Sequence, residues 1–243
     1  MSINERNDPL DFKTPSRELV KALAPTGVLR AVINLGNPVL AQGDAFLPTG
    51  ITVMLAREMA AWMGLQVEFL CVEAARDAYT AMAEGRADVC FLADEPKRRE
   101  HIAFTPPYVV LEGVYATAPL APFEDATKVD RAGVTIAVRR GSAYDLYLTR
   151  TITEAQIVRA EAETDAYEQH ELDVVAGVRQ PLTAYASSSG SRILEPPFMR
   201  IQQSVGLPKS TADETVGVLA DWLEHIKSTL PIRTELDRIN AGG

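Results

Sequence analysis

Residues 97–108 read Lys-Arg-Arg-Glu-His-Ile-Ala-Phe-Thr-Pro-Pro-Tyr, and they hold Arg98 between a strand-like run at 88–92 and another at 109–116, six residues before an expected turn at 104–108. A guanidinium is a planar fork that matches a carboxylate through two parallel hydrogen bonds, and such charge-assisted pairs are the strong ones. The plain alternative is a surface arginine paired with Glu95 or Glu100. A second place for chemistry is the turn Gly141-Ser142-Ala143-Tyr144-Asp145. Ser142 suits an N-cap, with Asp145 as its capping-box partner. Free N–H groups at such a helix start attract an anion, so capping and ligand contact coexist there. Asn34, Asn37 and Gln203 offer neutral hydrogen bonds, although asparagine also serves loops by turn geometry alone.

Other chemistries find little support. His101, His170 and His225 are scattered without ligand-like partners, and no Cys/His spacing suggests zinc, so no metal site is expected. Cys71 and Cys90 sit in apolar runs and read as small buried hydrophobes. No Gly-x-Ser-x-Gly elbow, phosphate-binding loop or dinucleotide fingerprint occurs, so no cofactor is expected. Lys and Arg number 24 against 33 Asp and Glu, for a formal charge of −9. That charge argues against a nucleic-acid partner, which needs clustered cations.

The elements that must position these residues follow from periodicity. Residues 16–23 read as a short helix within an N-terminal arm, 1–24. Residues 28–33 then form a first buried strand, and 34–49, with Gly36, Pro38, Gly43 and Pro48, a loop. Ile51, Met54, Leu55, Met59, Trp62 and Met63 share one face of a helix over 51–63, with Gly64 where a left-handed cap belongs. Strand 66–72, helix 73–84 and strand 88–92 complete a β-α-β-α-β series. The pattern restarts with strands at 133–138, 156–160 and 172–176 and helices at 142–148, 165–170 and 178–185. Residues 187–191, Ser-Ser-Ser-Gly-Ser, read as a flexible loop. Thr211 and Glu214 form a capping box, and a last helix begins at Pro231. Strands alternating with helices imply largely parallel sheets covered on both faces. A chain of 243 residues with 47% hydrophobic content is long for one domain and comfortable for two lobes.

Five landmarks in order carry a family resemblance: residues 27–30 (Gly-Val-Leu-Arg), 48–56, 85–89 (Gly-Arg-Ala-Asp-Val), 98–108 and 133–142. Through them the chain resembles extracellular solute-binding proteins of family 3, the amino-acid receptors of ABC importers, over residues 23–239. Residues 34–41, 141–150 and Gln202-Gln203 make it similar to a branch whose members often lack an export signal. The resemblance implies an α/β fold of the periplasmic-binding-protein-like type II. Its two lobes, each a mainly parallel sheet with flanking helices, join by a two-strand hinge. Lobe 1 would be 25–112 plus 203–243 and lobe 2 the inserted 113–202. In the family the matching arginine grips the ligand carboxylate, and a Gly-Thr or Gly-Ser turn donates to it from the second lobe. Arg98 and the Ser142–Tyr144 turn are the counterparts.

Two departures stand out. The Thr or Ser usual five residues before the arginine is Ala93 here, and the aspartate that accepts from an α-ammonium is missing, since Asp173-Val174-Val175-Ala176 runs into Gly177. An unpaired buried ammonium is costly. Either the ligand is not a standard α-amino acid, or Asp94, Glu95 or Glu112 takes the amine. Arg179 would add a second cation and favour a dicarboxylate, unless it is a solvated helix residue. Tyr144, Tyr108 or Phe46 would replace the family's aromatic shelf.

The expected function is a small-molecule receptor for a carboxylate-bearing, amino-acid-like solute, monomeric, without catalysis, for import through an ABC permease or for metabolite sensing. The alternatives are a dehydratase-like enzyme on the same scaffold, with Glu112 or Glu95 as its acid, and an orphan regulatory protein with a degenerate cleft. No run approaches the ~18 apolar residues of a membrane span. Residues 1–18 carry neither the apolar core nor the cleavage site of a secretory signal. The expected location is the cytoplasm for the chain as written, and the periplasm if the chain is a trimmed mature form.

Overall fold

Strand-forming and helix-forming runs alternate twice along the chain, and the computed structural model, which describes residues 12–242, pairs them into a single sheet. Helix α1 (Arg17–Leu23), capped by the Ser16 hydroxyl on the Leu19 N–H at 3.2 Å, leads into β1 (Leu29–Asn34). Helix α2 (Ile51–Met63), β2 (Val67–Val72), α3 (Ala75–Ala83) and β3 (Val89–Ala93) follow. A long strand, β4 (Ile102–Thr117), leaves this unit. The second unit is β5 (Thr135–Arg139), α4 (Ala143–Thr151), β6 (Gln156–Ala160), α5 (Glu163–Gln169), β7 (Val174–Val178) and α6 (Arg179–Ser189). Strand β8 (Arg192–Pro208) returns the chain, which ends in α7 (Asp213–Lys227) and α8 (Leu230–Ala241).

The strand order is β2-β1-β3-β8-β4-β7-β5-β6. Its outer thirds are parallel, β2-β1-β3 and β7-β5-β6, as buried βαβ crossovers require. Between them β4 and β8 run antiparallel to each other and to their neighbours. Two α/β units are therefore joined by two long strands, the type II architecture. Strands β3 and β7 are buried and apolar on both faces, which is why their sequences read as continuous hydrophobic runs rather than alternating ones.

Local chemistry explains several landmarks. Gly64 caps α2 at φ 68°, and Gly85 turns the chain after α3 at φ 70°, conformations that suit glycine. Asp88, 4% exposed, accepts from the Arg30 N–H and from its guanidinium, so the Gly-Arg-Ala-Asp run locks β1 beside β3. Trp62 of α2 stacks on Trp222 of α7 at 5.5 Å, which ties the C-terminal helix back to the first unit.

The structure corrects three expectations and leaves one outside its range. Residues 104–108 are not a turn after Arg98; they lie inside β4, where register shifts at Phe104/Pro107 and Pro107/Val109 absorb the prolines that cannot donate to the ladder. The Ser187–Ser189 run is the last turn of α6, ended by Gly190 at φ 75°, because serine hydroxyls bond back to carbonyls a turn earlier. Helix α7 starts after Ala212 rather than Thr211, so no capping box forms there. Of the N-terminal arm, residues 1–11 lie outside the described residues.

Asp130 carries a measurable part of the second unit's stability. Burial pushes its carboxyl up, but the N–H groups of Thr153, Glu154 and Ala155 and the Thr153 hydroxyl outweigh it and hold the group at about 2. A carboxyl held below its unfolded value stabilises the fold above that value and loses the contribution as the pH falls through about 2. Asp130 is partly exposed, so Asp130→Asn should cost about 1 kcal/mol at neutral pH. Urea titrations should show the gap to wild type closing between about pH 4 and pH 2; a gap that stays constant over that window would contradict the assignment.

Candidate functional site

Strand β3 ends at Ala93, and a tight 3-10 turn at Arg98–Glu100 folds the chain back into β4. That reversal buries Arg98 to 2% exposure at the junction of the two units. Its Nη1 donates to the Ala93 carbonyl at 3.0 Å and its Nη2 to the Gly141 carbonyl of the second unit at 3.2 Å. No carboxylate among the described residues hydrogen-bonds it. Burial lowers its pKa to about 10, against a smaller opposing pull from Glu95. A cation stripped of water with only two neutral acceptors leaves donors available for an anion.

Facing it, Gly141 turns at φ 72° and Ser142 caps α4, its Oγ accepting from the Asp145 N–H at 3.0 Å. Asp145 Oδ2 accepts from the Gly141 N–H at 2.8 Å, one residue earlier than a standard box. The N–H groups of Ala143 and Tyr144 have no carbonyl a turn earlier in the helix. Ser142, Ala143 and Tyr144 all line a cavity of about 380 Å³ that also includes Arg98. Tyr144, 5% exposed, donates from its hydroxyl to Glu163 Oε1 at 2.7 Å, and burial with that carboxylate pushes its pKa well up.

Asn34, Asn37 and Gln203 reach the same cavity. Both asparagines also serve turns, Asn34 accepting from Gly36 N–H and Asn37 from Val39 N–H. Gln203, 5% exposed in β8, makes no side-chain hydrogen bond with the described residues, so its amide faces the cavity uncommitted. Of the ten residues singled out from sequence, seven meet in this one space.

Asp94, Glu112 and Arg179 do not. Asp94 holds Arg99 through two hydrogen bonds of 2.6 and 2.7 Å. Arg179 and Glu112 pair with each other at the joining strands, in a separate groove with Arg200, and Arg179 also grips Glu195 at 2.7 and 2.9 Å. Arg179 sits at the first position of α6, beyond the cavity wall that Gly177 and Val178 form. Glu95 is buried and faces Arg150 of α4 at 2.7 Å. Opposite charges nearer than the cavity took each of these groups. Phe46 is 97% exposed and Tyr108 is packed on Phe91, so neither forms a shelf; Phe91, Tyr144 and Tyr185 supply the cavity's aromatics.

Sequence reasoning missed Arg139, Arg140, Glu161 and Glu163, all cavity residues. They cluster where β5 and β6 end, and only the parallel pairing of those strands, which sets Arg139 beside Ala160, reveals that they meet. Arg139 reaches across to the Gly36 and Glu73 carbonyls at 2.7 and 2.8 Å. Arg76 of α3 bridges to Glu161, and both pairs join the two units across the cavity mouth. Among the described residues no cluster of three or more His, Cys, Asp or Glu suits a metal, and no helix is long and apolar enough to cross a membrane.

A model of the bacterial extracellular solute-binding proteins, family 3, matches residues 36–229. No curated protein is similar enough in sequence to count as a relative. Among solved structures, the solute receptor for L-cysteine of Neisseria gonorrhoeae superposes with TM-score 0.74 at 19% identity, covering 90% of this chain and 92% of that one. An amino acid ABC transporter substrate-binding protein from Streptococcus pneumoniae, bound to L-arginine, gives 0.71 at 17%, covering 92% and 98%. The ancestral amino acid-binding protein AncCDT-1, a precursor of cyclohexadienyl dehydratase, gives 0.70 at 18%, covering 91% and 97%.

Proposed function

Because the chain belongs to the bacterial extracellular solute-binding proteins of family 3, we propose that it is a non-catalytic receptor whose cavity grips the carboxylate of a small, amino-acid-like solute. Arg98 takes the carboxylate from one side and the α4 start, Ser142 to Tyr144, from the other. Asn34, Asn37 and Gln203 orient the rest of the solute. The lobes that close on it are 25–112 with 203–243, and 113–202, moving on β4 and β8. An ABC permease or a sensing partner receives the loaded form.

The observation that carries this reading is the buried Arg98 guanidinium, which has carbonyl acceptors from both units and, among the described residues, no hydrogen-bonded carboxylate. Water cannot neutralise it there, so an anion entering the cavity gains a strong, two-sided partner. The enzyme alternative needs a cavity carboxyl poised to move a proton; Glu112 and Glu95 are ion-paired outside the lining, and the lining's own acids, Glu161 and Glu163, are committed to Arg76 and to the Tyr144 hydroxyl.

A thermal-shift panel of amino acids, keto acids, dicarboxylates and aromatic acids tests the reading. Ligand at ~100 times its dissociation constant should stabilise wild type by about 2.7 kcal/mol, and Arg98→Gln should abolish that shift. Shifts that survive the substitution, or a panel with no hit, would overturn it.

A further inference from the structure

The cavity's charge and its walls say more about the solute than its carboxylate end does. Resting on the reading of Arg98 given above, we propose that the cavity selects a small dicarboxylate over an α-amino acid, with the first carboxylate on Arg98 and the second toward Arg139.

Three observations converge. The first is the cations. Arg98 and Arg139 come from different units, line the same cavity, and bond backbone carbonyls rather than carboxylates. Among the described residues neither guanidinium is therefore hydrogen-bonded to a carboxylate. Arg140 lines the cavity too, and Glu161 approaches its Nε only to 3.7 Å. The lining's three arginines outnumber its two glutamates, Glu161 and Glu163, so in a chain of formal charge −9 the cavity is net positive and favours an anion.

The second is an apolar wall. The end of β7 and the first turns of α6 present Gly177, Val178, Pro181 and Leu182. A side chain at Gly177 would touch Leu182 carbons at 3.5 to 3.6 Å, so that face is apolar by construction. An ammonium placed against it loses its hydration without a partner.

The third concerns the acids, because either cavity carboxylate would otherwise serve the amine. Glu161 is exposed and already bridged to Arg76. Glu163 is committed to the Tyr144 hydroxyl, from which it accepts at 2.7 Å. The remaining acids first considered, Asp94, Glu95 and Glu112, are ion-paired elsewhere.

Isothermal titration with four matched probes tests the inference: glutarate, glutamate, pentanoate and norvaline. Glutarate should bind most tightly, with glutamate about tenfold or more weaker because of its added ammonium, and pentanoate weaker than glutarate for want of the second charge. Arg139→Gln should erase the preference for glutarate over pentanoate, read as the ratio of the two affinities in that same variant. Glu163→Gln should leave glutarate binding intact or tighten it.

Tighter glutamate or norvaline binding, lost in Arg98→Gln and weakened in Glu163→Gln, would overturn the dicarboxylate inference and leave the carboxylate receptor standing, with Glu163 as the amine acceptor. Binding of any probe that survives Arg98→Gln would overturn the receptor reading and this inference with it, whereas no binding of any of the four, beside a hit in the wider panel, would overturn this inference alone. Melting curves of each variant keep unfolding apart from lost binding.

Discussion

Arg98→Met should leave the ligand-free protein as stable as wild type or more so, while erasing the response to carboxylates. The two effects have one cause. A guanidinium at 2% exposure has given up its hydration for two carbonyl hydrogen bonds, and that incomplete exchange depresses its pKa to about 10. Replacing a whole buried ion pair by apolar residues is often neutral or stabilising, by about 1–4 kcal/mol in known cases, and Arg98 likewise leaves no hydrogen-bonded carboxylate behind among the described residues. Here the carbonyls of Ala93 and Gly141 each lose a donor, so the expected gain is at the low end, about 0–1 kcal/mol. Removing one member of a buried charge pair with a ligand costs about 2–5 kcal/mol of binding, roughly 30- to 5,000-fold in affinity. Calorimetry of both proteins with and without acid reads both. A variant that melts well below wild type would mean that Arg98 is structural, and the functional account would lose its footing.

Gly36→Ala should be among the most damaging single-methyl changes in the molecule. A β-carbon there would sit 2.0 Å from the Glu73 carbonyl oxygen and 3.1 Å from Arg139 Nη1. The first neighbour is backbone and cannot rotate away. Either the loop after β1 or the start of α3 must shift, and the Gly36 carbonyl that holds Arg139 shifts with it. The cost should be about 3 kcal/mol, a fall in Tm of about 6–12 °C for a chain of this size. Gly217→Ala in α7 is the matched control, because nothing lies within 4 Å of its added carbon. It should raise stability by about 0.5–1 kcal/mol through helix propensity alone. Equal effects at the two positions would show that the close approach at Gly36 is relieved cheaply.

The elements legible in the sequence were those whose apolar period or terminal glycine is local. Helix 51–63 with Gly64, and strand 156–160, needed only side-chain spacing and a cap. The runs at 104–108 and 187–191 misled because proline and serine were read as breakers. Strand β4 tolerates its prolines through register shifts, and α6 absorbs its serines by bonding their hydroxyls to its own carbonyls.

The site divided along the same line. Arg98, the Ser142 turn, Asn34, Asn37 and Gln203 belong to recognisable runs and do meet. Asp94, Glu112 and Arg179 were placed by chain proximity to those runs, and nearer opposite charges, Arg99 and Glu195 among them, decided their fate. Arg139 and Glu163 lie 24 residues apart and on different elements, and no local signal could join them. Parallel strand pairing did, by bringing the ends of β5 and β6 to one edge of the cavity.

The most direct test of the central claim is a crystal structure of the protein with the acid that gives the largest thermal shift. The account predicts a carboxylate seated between the Arg98 guanidinium and the first N–H groups of α4, with Gln203 turned toward the same molecule. Density for the acid in the groove of Glu112, Arg179 and Arg200, or in the cavity with its carboxylate away from Arg98, would contradict it.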